Sequence, residues 1–355
     1  HQRLFNSSKS SLVKQARYIL YATVCIITAL VASYAFAIYL LNQPLGFAKT
    51  SVVIEIKKNQ SLRSVVDELR SQKLVSYPSL LFWHIRLKGQ STHIKAGEYK
   101  ILATSSTIDL IDQLTQGKIY YRSITLIEGW SIRQVREALA QNPYVRHDTK
   151  NLSNESLRKW FNHRYNDNYT SLEGLFYPDT YWFARGTSDR YILRQAREAM
   201  KNIMRIEWKN RQPQLPYRSA YQSLIAASLI EKETAHHEEK NLIAGVIVAR
   251  LKKGMRLQID PTVIYALGSE FDGELNHSEL RTPSRHNTYM HSGLPPTPIA
   301  LPGKKSIVAA LHPKRTKHLY YRSKGDGSHT FSTTFKQHKN ADPNKRTGKK
   351  SDKKQ

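Results

Sequence analysis

Cysteine is almost absent from this sequence of 355 residues, since Cys25 is the only one. The body of the chain therefore needs no disulfide, and cysteine usage says little about its redox compartment. The sequence also lacks a glycine-rich phosphate loop followed by Lys-Ser/Thr, a Gly-x-Ser-x-Gly elbow and a Cys-x-x-Cys pair. These absences argue against P-loop phosphate binding, an α/β-hydrolase nucleophile and a dithiol site.

A metal site is also poorly supported. The segment His236-His237-Glu238-Glu239 has the residue types of metal ligands, but it lacks the His-x-x-x-His spacing. Adjacent histidines on a helix point about 100° apart. A solvated polar turn is the favoured interpretation, and neither a metal nor another cofactor is predicted.

Acidic residues are scarce, with 28 Asp and Glu against 55 Lys and Arg, for a net charge of +27. Residues 1–17 contribute +4 and residues 336–355 contribute +6, so +17 lies on the remaining chain. The charge is therefore not only a property of the tails. It indicates an anionic partner such as a nucleic acid, a membrane or an acidic polymer.

Long uncharged stretches are rare as well, and the longest begins at residue 18 and contains the apolar run of residues 18–41. As a helix it would be roughly 36 Å long, enough to cross a hydrocarbon core of about 30 Å. Tyrosines lie towards both of its ends, as interfacial aromatics do. An uncleaved membrane anchor is predicted. A cleaved signal peptide, for which Ala35-Phe36-Ala37 fits the cleavage pattern, and a buried soluble helix are the alternatives.

The basic residues that flank this run predict its orientation. Lys9, Lys14 and Arg17 precede it closely, whereas Lys49 is the first charge after it. This bias places residues 1–17 in the cytoplasm and the body on the other side of the membrane.

Beyond a linker at 42–50, the patterning predicts an α+β fold. Short strand and helix patterns to residue 125 form a small α+β module, and residues 126–340 form a larger α+β domain. Residues 341–355, with Pro, Lys and Asp and almost no apolar side chains, are predicted to be disordered. Strands are predicted at 51–57, 97–101, 119–127, 320–322 and 330–332. Helices are predicted at 62–72, 80–87, 107–116, 131–165 with breaks at Pro143 and Asn154, 190–212, 220–253, 263–267 and 304–310.

The most informative segment places Glu231 and Glu233 at the end of an apolar helical run. A carboxylate beside buried surface loses hydration, so its pKa rises and it can hold a proton near neutral pH. That property is what a general acid requires.

Helix geometry chooses only weakly between the two glutamates, which point about 200° apart. Glu233 continues the bulky stripe of Ile225 and Leu229, whereas Glu231 follows a smaller and more polar row. Glu233 is favoured as the acid, with Glu231 as a supporting or surface residue. The alternative is that both are solvated and form weak bridges with Lys232, Lys240 or other neighbours.

Several motifs in order give the chain a specific resemblance. The sequence resembles the YceG-like (MltG) family of endolytic murein transglycosylases over about residues 17–340. The motifs that carry the resemblance are Glu173-Gly174 through Tyr181, Glu231-Lys232-Glu233-Thr234-Ala235, residues 254–265, Asn287-Thr288-Tyr289, Gly293-Leu294-Pro295-Pro296 and residues 327–331. Arg285-His286 and Thr297 depart from the pattern expected at their positions.

The resemblance implies a LysM-like module at 51–125, a YceG-like catalytic domain at 126–340 and no cofactor. It also implies that the second glutamate of Glu-Lys-Glu-Thr, Glu233, is the catalytic general acid and base. The reaction would cleave the MurNAc-GlcNAc bond of nascent strands within the chain and leave a 1,6-anhydro-MurNAc end. Substrate-binding candidates are Glu173, Tyr177, Asp179, Gln258, Asn287 and Tyr289. The two acids could equally cap loops, and the aromatic cluster at 176–183 is more often core than a sugar-binding surface.

The implied setting is a single-pass protein of the cell inner membrane with a periplasmic body. Its partners would be peptidoglycan glycan strands and the peptidoglycan synthases. A membrane-tethered peptidoglycan-binding protein without catalysis is the alternative function. Nucleic acid is not expected as a partner, because no binding motif is present and an exported body would not meet it.

Overall fold

A long helix opens the chain. The structure is a computed structural model that describes residues 2–340, and in it α1 spans Gln2–Leu41. Its Gln15–Leu41 part is long and apolar enough to cross a membrane. The hydroxyls of Thr23 and Thr28 donate to the carbonyls of Ile19 and Val24, each at 2.8 Å. These bonds satisfy polar groups that an apolar environment would otherwise leave unpaired.

The chain then forms two units that divide after Tyr121. In the first, β1 (Ser51–Ile56) pairs antiparallel with β2 (Gly97–Leu102). Its helices are α2 (Leu62–Ser71), α3 (Pro78–Leu87) and α4 (Thr107–Gln116). Capping decides where they begin, since Ser61 caps α2 and a Ser106–Asp109 capping box opens α4. The unit has its own apolar core.

The second unit starts with β3 (Arg122–Thr125), which pairs antiparallel with β4 (Thr180–Phe183). Its first helices are α5 (Ile132–Gln141), α6 (Asn154–Tyr165) and α7 (Asp189–Lys209). They are followed by α8 (Ala220–Glu233), α9 (His237–Lys252), α10 (Asp260–Leu267) and α11 (Lys304–Leu311). A hairpin of β5 (Tyr320–Ser323) and β6 (His329–Ser332) precedes α12 (Phe335–Asn340).

Helix α8 runs through the core of this unit. Residues 223–230 are all buried, and the helix packs against α7, α9, α10 and α11. A helix that is apolar on every side is stable only when neighbours surround it. The buried run therefore fixes the position of the residues that follow it, including both glutamates.

The predicted mixed α+β fold with an N-terminal apolar helix is confirmed, but the single helix predicted at 220–253 is wrong. Thr234 is extended, with φ −144° and ψ 136°, and its hydroxyl accepts a hydrogen bond from the His236 amide at 3.0 Å. Such a bond gives the backbone a partner outside the helix. Glu233 is consequently the last residue of α8.

Smaller differences lie at other boundaries. Asn154 begins α6 instead of breaking a helix, because Ser153 caps it. Helix α10 begins at Asp260, earlier than predicted, since Pro261 is tolerated in a first turn. Strand β3 is shorter than predicted. The predicted disordered tail at 341–355 lies outside the described residues.

Candidate active site

The last turn of α8 presents Glu233 to a cavity. The residue is half-buried, and its Oε2 is inaccessible to solvent and has no hydrogen-bond partner among residues 2–340. Burial, together with a smaller effect of the Asp260 charge, raises the pKa of this carboxyl to about 7. The Tyr321 hydroxyl and the Arg250 charge act in the opposite direction. The carboxyl can therefore hold a proton near neutral pH.

The cavity has a volume of about 600 Å³, within the range of ligand sites of roughly 300–1,000 Å³. Its walls come from the end of α8, the loop between α9 and α10, and the hairpin with α12. It is lined by Glu233, Arg250, Leu257, Gln258, Asp260, Tyr289, Tyr320, Tyr321, Arg322, Ser323, His329, Phe335 and His338.

Arg250 ties two of these walls together. Its guanidinium donates to the carbonyls of Leu257 at 2.8 Å and Arg256 at 3.1 Å, and to that of Leu319 at 2.6 Å. The first two carbonyls belong to the loop after α9, and the third precedes β5. These hydrogen bonds hold the guanidinium in one position. Its positive charge therefore stays near Glu233, although the two side chains do not form an ion pair.

The loop before α10 is fixed by backbone contacts. Gln258 has a φ of +51°, and its amide donates to the Thr288 carbonyl at 3.1 Å. The Ile259 amide donates to the Thr288 hydroxyl at 2.9 Å. The Tyr289 hydroxyl donates to the carboxylate of Asp260. Gln258, Asp260 and Tyr289 thus reach the cavity from a braced segment.

A second cavity of about 500 Å³ also includes Glu233 in its lining. It lies between residues 127–134 and residues 231–240 of the same unit. Glu233 is the residue that the two cavities share.

Glu231 has a different environment. Its Oε1 accepts from the Lys240 ammonium at 2.8 Å and its Oε2 accepts from the Gly303 amide at 2.9 Å. Lys240 also donates to the Ser306 hydroxyl at 2.8 Å, and the two charged side chains are 8% and 2% exposed. A Cβ at Gly303 would meet Glu128 Oε1 at 1.8 Å, so a side chain there would disturb this approach. The expected bridge to Lys240 exists, but it is buried, which contradicts the solvated alternative.

Glu173 and Asn287 are buried away from both cavities. Glu173 accepts from the Ile132 amide at 2.9 Å and from the Tyr265 hydroxyl at 3.4 Å, and burial raises its pKa to about 7. Asn287 donates to the Leu280 and Thr282 carbonyls and accepts from the Tyr289 amide. Both side chains therefore hold loops in place.

Tyr177 and Asp179 lie outside both cavities too. Tyr177 packs against the main core, and its amide donates to the Ala196 carbonyl at 2.9 Å. Asp179 is exposed, and its carboxylate accepts from the Thr180 amide at 2.7 Å. Of the predicted site residues, the structure brings together Glu233, Gln258 and Tyr289, and substrate binding by the others stays a prediction.

Arg250, Asp260 and Tyr321 line the cavity with Glu233, and none of them was among the predicted site residues. Asp260 carried one usable signal, because an acid before Pro261 begins a helix. Arg250 and Tyr321 had none, since only the packing of the hairpin on α9 brings them to the end of α8.

The 236–239 segment contains residue types that can bind metals, but its Glu239 makes other contacts. Glu239 accepts from the His329 amide at 3.0 Å and pairs with its Nδ1 at 2.7 Å, so this part is not the predicted solvated turn. Burial opposes ionisation of Glu239, but the His329 hydrogen bonds outweigh it and lower the pKa. Within the described residues, no group of three or more His, Cys, Asp or Glu is arranged for a metal.

Several known proteins are similar to this chain in sequence and in fold. The model of the YceG-like family matches residues 54–343. An endolytic murein transglycosylase of Bacillus subtilis (strain 168) is 32% identical over 308 residues, which cover 83% of this chain and 84% of the relative. An endolytic murein transglycosylase of Streptococcus pneumoniae (strain D39) is 24% identical, over 77% of this chain and 54% of that protein.

A crystal structure of a yceG-like protein from Listeria monocytogenes has a similar fold. Its TM-score is 0.51 at 28% identity, and the match covers 82% of this chain and 99% of the Listeria chain. Together with the family match over most of the sequence, this identifies the chain as a member of the YceG-like family.

Proposed function

We propose that this protein is an endolytic murein transglycosylase that cleaves the MurNAc-GlcNAc bond of peptidoglycan glycan strands, with Glu233 as its general acid and base. The name and 32% identity of the Bacillus relative support the reaction class. One observation supports the residue: Glu233 has a buried oxygen without a partner and a pKa of about 7 at the wall of a ligand-sized cavity.

The first step uses the proton that Glu233 holds. The carboxyl donates it to the glycosidic oxygen, and the bond from this oxygen to MurNAc C1 breaks. The 2-acetamido group of the same sugar can shield the positive charge that develops at C1. The raised pKa favours this step, because the carboxyl can still carry its proton near neutral pH.

The first proton leaves on the hydroxyl of the departing sugar, and the second step restores the protonated carboxyl. The Glu233 carboxylate removes a proton from the 6-hydroxyl of the same MurNAc, and the oxygen attacks C1 to close the 1,6-anhydro ring. Because the nucleophile belongs to the substrate, its effective concentration is high and no water is consumed. One carboxyl therefore suffices, whereas ordinary glycosidases need two. Gln258 and Tyr289 are positioned to orient the sugar, and Arg250 holds the walls around it.

The remaining features support a place at the cell wall. Helix α1 would be an uncleaved anchor of the inner membrane, with the cytoplasm on its N-terminal side and the body in the periplasm. The order β1-α2-α3-β2 supports a LysM-like assignment for 51–125. A charge of +27 suits an acidic polymer and anionic lipid headgroups. Peptidoglycan synthases are the proposed protein partners.

The test is mass spectrometry of purified, uncrosslinked glycan strands after incubation with the wild type, Glu233→Gln and a control. Glu238→Gln is a suitable control, because Glu238 is exposed near the start of α9 and lines neither cavity. We expect internal fragments with 1,6-anhydro-MurNAc ends from the wild type and the control, and none from Glu233→Gln. Reducing ends would mean hydrolysis and a second carboxylate. No cleavage by the folded wild type would favour a tethered binding protein.

A further inference from the structure

The second cavity has groups that the proposed reaction does not use. Trp130, Gln134, Lys232 and His237 line it together with Glu233. Its volume of about 500 Å³ is similar to that of the first cavity. An enzyme that cuts within a strand must hold sugars on both sides of the bond that breaks. Glu233 is the lining residue common to the two cavities, so a strand passing it has room on either side.

Trp130 provides a fixed aromatic surface in this cavity. Its amide donates to the Ile127 carbonyl at 3.2 Å and its carbonyl accepts from the Leu301 amide at 2.7 Å. The Gly129 amide donates to the Leu301 carbonyl at 2.8 Å, which braces the same turn. The Trp130 ring is half-buried and packs against the core. A rigid, amphipathic ring of this kind suits the apolar face of a pyranose.

Lys232 contributes a positive charge to the lining of this cavity. Glu231 and Lys240, which line the same cavity, neutralise each other at 2.8 Å, and a third acid of the lining, Glu128, lies against Gly303. Lys232 is exposed and forms no ion pair within the part of the chain that the structure describes. Its aliphatic chain lies by Gly129, where an added Cβ would be 3.7 Å from Lys232 Cδ. An exposed cation and an aromatic ring that line the same cavity fit a saccharide that carries carboxylates.

We propose that this second cavity is a saccharide site for the part of the glycan strand on the far side of the scissile bond from the first cavity. Trp130 stacks on a sugar ring, and Lys232 pairs with a carboxylate of a stem peptide. The inference rests on the proposed function, because that reaction places the scissile bond at Glu233.

The test compares Trp130→Ala and Lys232→Glu in the full chain, with uncrosslinked glycan strands as substrate. Trp182→Ala and Lys209→Glu are the matched controls, since both residues are exposed and line neither cavity. We expect Trp130→Ala to raise KM about tenfold, with a smaller change in kcat, because ground-state contacts are lost. Lys232→Glu should raise KM more for strands that carry stem peptides than for peptide-free strands.

Binding of the same strands to Glu233→Gln, with and without Trp130→Ala, separates the two proposals. If the wild type does not cleave but Trp130→Ala still weakens binding to Glu233→Gln, the reaction is wrong and the saccharide site stands. If the wild type cleaves and neither variant changes KM or binding, the saccharide site is overturned. Because Lys232 is exposed, its variant decides the outcome if Trp130→Ala fails to fold.

Discussion

The two sides of the last turn of α8 differ although each carries a glutamate. On one side, Glu231 accepts from Lys240 and from the Gly303 amide, and Ser306 completes the contacts of the lysine. On the other side, Glu233 has an Oε2 without a partner and two cavities beside it. A buried carboxylate with a partner stabilises the packing around it. A buried carboxylate without a partner loses its hydration and gains no interaction in return.

Glu173 sharpens this comparison. Burial raises its pKa to about 7, as it does for Glu233. However, Glu173 is 2% exposed, accepts hydrogen bonds from the α5 amide and Tyr265, and lines neither cavity. A raised pKa therefore identifies a buried acid but not a catalytic one. Access to a cavity and an unpartnered oxygen distinguish Glu233.

The largest expected effect comes from Glu233→Gln. We expect the rate of anhydro-end formation to fall by about 10²–10⁴-fold or more, because the proton donor is gone. The free energy of unfolding at pH 8 should be unchanged or higher, since a desolvated charge is removed. Product analysis and urea denaturation measure the two quantities. A variant that retains a tenth of the activity would exclude Glu233 as the acid.

Removal of the cation that pairs with Glu231 should lower the stability of the protein. Lys240→Met leaves Glu231 buried without its cation, and we expect a loss of about 3–5 kcal/mol in the free energy of unfolding. Urea denaturation measures it, with Lys253→Met at the exposed end of α9 as the control. The double variant with Glu231→Leu should recover most of the loss, because neither charge remains. A loss below about 1 kcal/mol would contradict a structural ion pair.

The pH dependence should separate the two acids with raised pKa values. Glu233 acts first as an acid, so kcat/KM should fall as the pH rises through about 7. Between about 4.5 and 7 the folded protein binds more protons than the unfolded chain, so stability also falls as the pH rises through this window.

Glu173→Gln should reduce this stability slope and leave the alkaline limb of kcat/KM near pH 7. Activity profiles and urea denaturation between pH 4.5 and 8 test both expectations. If Glu173→Gln moved the activity limb, the separation of the two acids would be wrong.

The smallest expected effect comes from Asp260→Asn. The charge of Asp260 raises the pKa of Glu233, so its removal should shift the alkaline limb of kcat/KM to lower pH. At pH values well below this limb, kcat/KM should change less, because the asparagine side chain can still accept a hydrogen bond from the Tyr289 hydroxyl. Asp67→Asn, an exposed acid of the first unit, is the control. An unshifted limb would mean that Asp260 does not influence the proton on Glu233.

Local signals predicted much of the secondary structure. The helix predicted at 62–72 and the strands predicted at 320–322 and 330–332 are confirmed to within a residue or two, because caps and strand alternation act over a few residues. The end of α8 after Glu233 was not predicted. The His236 amide donates a hydrogen bond to the Thr234 hydroxyl, and this bond competes with continuation of the helix. Helix propensities of the residues do not reveal such a bond.

The sequence by itself determined that two carboxylates follow an apolar helical run and that Glu233 continues its bulkier stripe. Only the tertiary structure decided which of them receives a partner. Lys240 and Gly303 reach Glu231, while Arg250, Asp260 and Tyr321 surround Glu233 without completing the hydrogen bonding of its Oε2. The reason is that the pKa of a carboxyl depends on charges, donors and water within a few ångströms, and distant segments of the chain supply these.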